Sequence, residues 1–206
     1  MIMKKMKLAA MFGMAAVMAM GTGAAFAEEK ETEAAEGNEQ VFEAEYTELE
    51  GLEGLGVSGS PSGIGLAAES AEASNEFYLG NLGVDSPVTF VITSDQETTA
   101  TLKIRVGSNI LGTCAWNPES YVITVNGEAV EYEEFTTENG ADMNDQQNFK
   151  TKNIGEIQLV EGENEIVLVA GDNTYRSNMP SAPSLDCIKL ITDAELSMEE
   201  LEENIE

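Results

Sequence analysis

The sequence predicts an all-β fold, an antiparallel β-sandwich, and three observations carry that expectation. Short runs rich in Val, Ile, Thr and aromatic residues recur at 41–47, 77–82, 87–94, 98–106, 121–125, 129–132, 154–160, 165–169 and 185–191. Turn signals separate them. Asn126-Gly127 is a hairpin turn whose two positions both tolerate positive φ, and Glu161-Gly162-Glu163-Asn164 marks a second hairpin. No convincing helical periodicity interrupts the runs, and strands unbroken by helices bury their apolar faces sheet on sheet.

The first of these runs alternates. Phe42, Ala44 and Tyr46 fall on one face, with Glu43 and Glu45 on the other. The stretch 51–74, rich in Gly, Ser and Ala, reads as a long connection of the kind that often carries function.

The ends of the chain read differently. Lys4, Lys5 and Lys7 precede an apolar run to about Met20, which closes on Ala25-x-Ala27. This pattern predicts a secretory signal peptide over 1–27, cleaved after about Ala27, and a secreted, extracellular product. The apolar run is too short and too rich in Ala and Gly for a comfortable membrane span. Residues 28–40 are charged and lack aromatic side chains, so an acidic disordered spacer is expected there. The sandwich domain is expected over 41–192. For 193–206 the expectation is a short acidic helix or frayed tail. Thr192-x-x-Glu195 fits a capping box, and Met198, Leu201 and Ile205 share a helical face.

Charge narrows the function. The chain has 38 Asp and Glu against 10 Lys and Arg, a net −28, and loss of Lys4, Lys5 and Lys7 with the leader takes it to −31. Such a surface repels nucleic acid and anionic membrane. It suits a neutral ligand, a cation or a basic protein partner, and it also serves solubility alone. There is no histidine, which excludes Ser-His-Asp and Cys-His catalysis and imidazole-bound zinc. Cys114 and Cys187 are the two cysteines. Their spacing leaves open a disulfide, worth about 4 kcal/mol in an oxidising compartment, or two separate buried thiols.

Three acids stand out: Glu43 and Glu45, two apart on the first strand, and Asp186 on the last. If those strands are neighbours, the carboxylates converge. The spacing alone leaves two readings, a solvated acidic face or a site for a cation that takes oxygen ligands. A glycosidase pair is not expected, because Glu43 and Glu45 would project from one strand face rather than flank a substrate.

Several segments, in order, carry a family resemblance. They are Phe42-Glu43-Ala44-Glu45, Tyr78-Leu79-Gly80-Asn81-Leu82, Leu102-Lys103-Ile104-Arg105-Val106 and Val125-Asn126-Gly127. Leu159-Val160-Glu161-Gly162-Glu163-Asn164-Glu165-Ile166 and Leu185-Asp186-Cys187-Ile188-Lys189-Leu190 follow. Together they resemble the carbohydrate-binding modules of families 6 and 35, with their E-A-E opening strand, Y-V-G-N-L segment, L-x-x-R-Y strand, V-N-G turn, L-x-x-G-x-N-x-I hairpin and closing I-D-x-I-x-L strand.

The resemblance implies a jelly-roll β-sandwich of galactose-binding-like type that binds glycan and does no chemistry. It implies a structural Ca²⁺ held by Glu43, Glu45 and Asp186. It places Tyr78 beside the ligand cleft and gives Asn178 the role of an amide facing sugar hydroxyls. Trp116, the only tryptophan, lies in a loop-like stretch and is open to two roles, core or sugar stacking. Phe149 stands where the family has a tryptophan, and Asn75-Glu76 where it has Gly-Gly. These departures favour an alternative, an envelope or cell-surface interaction sandwich that has lost sugar binding.

Overall fold

The computed structural model describes residues 37–47, 68–80, 82, 87–108, 113–137, 148–170 and 183–201. The expected signal peptide lies outside the described residues, as do 28–36 of the expected spacer and Asn178. The strands, in chain order, are β1 (Asn38–Glu43), β2 (Ala68–Glu69), β3 (Phe77–Tyr78), β4 (Val88–Ser94), β5 (Thr98–Ser108), β6 (Ala115–Trp116) and β7 (Tyr121–Val125). They continue as β8 (Glu128–Ala129), β9 (Phe135–Thr136), β10 (Lys150–Leu159), β11 (Gly162–Ala170), β12 (Pro183–Thr192) and β13 (Leu196–Met198). Among the described residues one 3-10 turn is present, Ala44–Tyr46, directly after β1.

Two antiparallel sheets form the sandwich. One has the order β1-β12-β5-β10, the other β13-β4-β11-β7-β8. The chain passes repeatedly from sheet to sheet, from β4 to β5 to β7 and from β10 through β13, as a jelly-roll requires. The period-two pattern sets the faces. On β4, Val88, Phe90 and Ile92 are fully buried while Thr89, Val91 and Thr93 point outward. On β5, Ala100, Leu102, Ile104 and Val106 point inward. These side chains meet Ile123, Ile166, Ile188 and Leu190 in one core shared by both sheets.

The predicted hairpins form. Asn126 and Gly127 both take positive φ, 52° and 81°, which matches the twist of β7 and β8. In the β10–β11 hairpin, the buried Asn164 accepts from Val160 N–H at 2.9 Å. It donates to the Val160 and Gly162 carbonyls at 2.9 Å each. Asn126 Nδ2 also donates to Asn164 Oδ1 at 2.9 Å, joining the two hairpins. Asn164→Ala removes these bonds to part-buried backbone groups and should cost about 1–2 kcal/mol. Urea denaturation checks this as a lower midpoint at unchanged slope.

Two boundaries differ from expectation. Residues 38–40, expected in the spacer, belong to β1, where Asn38 pairs with Thr192 of β12. The expected C-terminal helix is replaced over Leu196–Met198 by β13, which pairs with β4. The reason is long-range. Gln40 accepts from Leu196 N–H and donates to Ala194 carbonyl, each at 2.9 Å. Asp95 Oδ1 accepts from Glu195 N–H at 3.0 Å, and Leu196 is buried in the core. A short helix with glutamates at its C-terminal end opposes its own dipole and cannot match these contacts. Residues 202–206 lie outside the described set.

The cysteines are two separate buried thiols, not a disulfide.

Candidate functional site

The three acids singled out from the sequence come together, though not by simple strand alternation. β1 ends at Glu43, and the 3-10 turn then carries Glu45 inward until it is fully buried. On β12 the pairing with β5 slips between Leu185 and Cys187, so Asp186 is an extra residue in a bulge. Its carboxylate is fully buried. Glu43 lies opposite Cys187 in the β1–β12 register, which brings the end of the first strand beside the bulge.

One short segment touches all three. Ser74 Oγ donates to Glu43 Oε2 at 2.6 Å, and Ser74 N–H donates to Asp186 Oδ1 at 2.9 Å. Asn75 Nδ2 donates to Glu45 Oε1 and to Tyr46 Oη, each at 3.0 Å. From β5, Arg105 Nη1 forms an ion pair with Asp186 Oδ2. Arg105 Nη2 donates to the Glu72 carbonyl at 3.0 Å, and the guanidinium lies 5.2 Å from the Phe149 ring centroid.

Burial dominates the electrostatics. It pushes the Glu45 carboxyl up from 4.5 to about 7, with Glu43 and Asp186 adding repulsion against the Asn75 hydrogen bond. Glu43 is also raised, first by burial and further by Asp186, while Ser74 opposes the change. The neighbouring Cys187 thiol is pushed up to about 12 by burial and then by Asp186.

The donor set has the chemistry, all oxygen, that a hard divalent cation takes. It offers three carboxylates, two of them raised by burial, and a backbone carbonyl from the same segment. Among the described residues, however, no three Asp, Glu, Cys or His side chains stand at mutual metal-holding distance. The pocket shown is closed by Ser74, Asn75 and Arg105.

The aromatic candidates are not gathered into one open face. Tyr78 is 5% exposed and packs edge-to-face on Phe149, centroids 5.5 Å apart, in a small cluster with Ala73. Trp116 is fully buried in the main core, stacked on Tyr121 at 4.1 Å and on Phe135 at 5.6 Å. Of the two roles open to Trp116, the structure shows core packing.

A groove of about 370 Å³ lies elsewhere, along the outward residues Thr89, Val91 and Thr93 of β4, between Tyr46, Met198 and Leu201. Tyr46 thus has two settings, since its hydroxyl accepts from Asn75 in the acid pocket. Sequence reasoning missed Ser74, Asn75, Arg105 and this groove. The one available signal was Arg105 at the arginine position of the L-x-x-R strand.

Charge is segregated. Every lysine and arginine among the described residues, Lys103, Arg105, Lys150, Lys152 and Lys189, lies on β5, β10 or β12. The five-stranded sheet has none. No helix among the described residues is long and apolar enough to cross a membrane.

No protein-family model matches the sequence, and no curated protein matches it either. Solved structures do match. A family 35 carbohydrate-binding module from an environmental isolate superposes with a TM-score of 0.51 at 18% identity, over 77% of this chain and 96% of its own. The CBM35 of Cellvibrio japonicus Abf62 gives 0.50 at 14% identity, over 79% and 99%. A cycloalternan-forming enzyme from Listeria monocytogenes gives 0.50 at 14% identity over 74% of this chain. This chain spans only 12% of that enzyme's length, and under a third of the other large enzymes it matches. The sandwich therefore has the fold of family 35 carbohydrate-binding modules.

Proposed function

We propose that this chain is a secreted, non-catalytic carbohydrate-binding module with a structural calcium held by Glu43, Glu45 and Asp186. The observation that carries the reading is the fold match, which covers two carbohydrate-binding modules almost end to end. The acid pocket supports the calcium part, because it gathers three carboxylates, from the end of β1, the turn after it and β12, and carboxylate oxygens are the ligands calcium takes. When bound, the metal would supply charge balance to buried carboxylates, not chemistry. The family resemblance and the absence of histidine both favour binding without catalysis.

Among the described surfaces, the groove on β4 best suits a sugar. It sets threonine hydroxyls beside apolar side chains and a partly exposed tyrosine, the mixture that orients a pyranose. Tyr46 connects this groove to the acid pocket through Asn75, so an ordered pocket would fix the groove wall.

A second reading has its own support. Tyr78 and Trp116 are buried, so neither offers a ring face to a sugar. The cation-free five-stranded sheet suits a basic protein partner at the cell surface or envelope. A glycan microarray with the calcium-loaded protein separates the two. Binding to a defined glycan class, weakened at least about tenfold by Tyr46→Ala, supports the first reading. An empty array together with salt-sensitive capture of one basic protein selects the second.

A further inference from the structure

Both oxygens of Asp186 are already engaged, Oδ1 by Ser74 N–H at 2.9 Å and Oδ2 by the Arg105 guanidinium. Asp186 is fully buried, and a buried carboxyl is stabilised by a paired cation. Arg105 supplies one from within the chain. It is fixed at its root, because β5 pairs with β12 at Cys187 and with β10 at Thr151. Its tip is less confined, with the side chain 23% exposed. Two further contacts, to the Glu72 carbonyl and the Phe149 ring, would remain if it left Asp186.

We propose that Arg105 is a built-in competitor of the metal: its guanidinium closes the acid pocket in place of calcium, and calcium gains Asp186 only as Arg105 releases it. This rests on the calcium reading above. A guanidinium and a divalent ion drawn to one carboxylate repel each other, so each weakens the other's hold on Asp186. The metal's apparent affinity is then reduced by the fraction of molecules in which Arg105 has let go. The pocket has two closed states, and the Arg105 state keeps the segment around Ser74 docked at low calcium.

The test uses the mature chain, with calcium chloride titrated into wild type, Arg105→Met and Lys103→Met. Binding is read by equilibrium dialysis and by thermal shift. Lys103→Met removes the same charge from the same sheet but touches no pocket residue, and its half-saturation should stay within about twofold of wild type. Arg105→Met should lower the melting temperature in EDTA, enlarge the calcium-induced shift, and lower half-saturation at least about tenfold. A variant that folds only with calcium also supports the proposal.

Half-saturation of Arg105→Met within twofold of wild type, or above it, overturns the proposal and leaves Arg105 a structural ion pair. If Arg105→Met is unfolded throughout, Arg105→Lys replaces it. Lysine keeps the charge and loses the two-pronged contact, so lower half-saturation supports competition and an unchanged value overturns it. If no form of the protein responds to calcium, the calcium reading itself has failed. That result differs from equal binding by wild type and variant.

Discussion

In EDTA at pH 8, Glu45→Gln should melt at a higher temperature than the wild-type protein. Loss of an acid usually destabilises a folded pocket, but here the sign is reversed. The Glu45 carboxyl sits at about 7 in the folded chain against an ordinary 4.5, chiefly because it is buried. A folded pKa above the unfolded one means that the folded state prefers the proton. The stability this brings is present below about pH 4.5 and is lost as pH rises through 7. The loss is roughly 3 kcal/mol, or about 5–10 °C in a domain of this size.

The wild-type protein in EDTA should therefore lose melting temperature between pH 5 and pH 8 more steeply than Glu45→Gln. General repulsion among many acids gives both proteins a common slope, and the difference between them isolates the pocket. Calcium should restore the wild type at pH 8, add little at pH 5, where the carboxyl holds its proton, and do little for Glu45→Gln. A Glu45→Gln melting temperature at pH 8 equal to or below wild type would contradict this account of the pocket.

Trp116→Ala should cost about 3–5 kcal/mol of stability, the range for deleting a large aromatic from a core. Trp116 has no exposed surface and lies between Tyr121 and Phe135, with a ring spacing of 4.1 Å to the first. The substitution therefore acts on folding, not on a contact with ligand. Two measurements check this. Chemical denaturation should show the full loss. Fluorescence of this sole tryptophan should resist acrylamide quenching in the native state, with glycan leaving it unchanged. Easy quenching of the native protein, or protection conferred by a sugar, would move Trp116 back to the binding surface.

How far the sequence revealed this molecule depended on the range of the forces involved. β4 was legible because Val88, Phe90 and Ile92 alternate with Thr89, Val91 and Thr93, and one face of a strand must be buried. The Asn126-Gly127 hairpin was legible because its backbone requires residues that accept positive φ. The C-terminal segment misled because its local pattern is helical. The contacts that make it a strand come from Gln40 and Asp95, far earlier in the chain.

The candidate site was half legible. Glu43, Glu45 and Asp186 were found by residue type and by order. The 3-10 turn after β1 and the bulge at Asp186 were not, yet those two irregularities bring the carboxylates together. Arg105 reads as an ordinary outward residue of an alternating strand. Its ion pair depends on the β5–β12 register, which no local pattern states. Trp116 was ambiguous for a similar reason, since a two-residue strand gives no period from which burial can be read.

The account stands or falls on whether this fold binds sugar. The direct measurement is affinity gel electrophoresis of the mature protein in calcium, run through a panel of soluble plant, fungal and host polysaccharides. The account predicts retardation by at least one polysaccharide, reduced when EDTA replaces calcium. Unretarded migration through every gel, by protein shown to be folded and calcium-loaded, would contradict it.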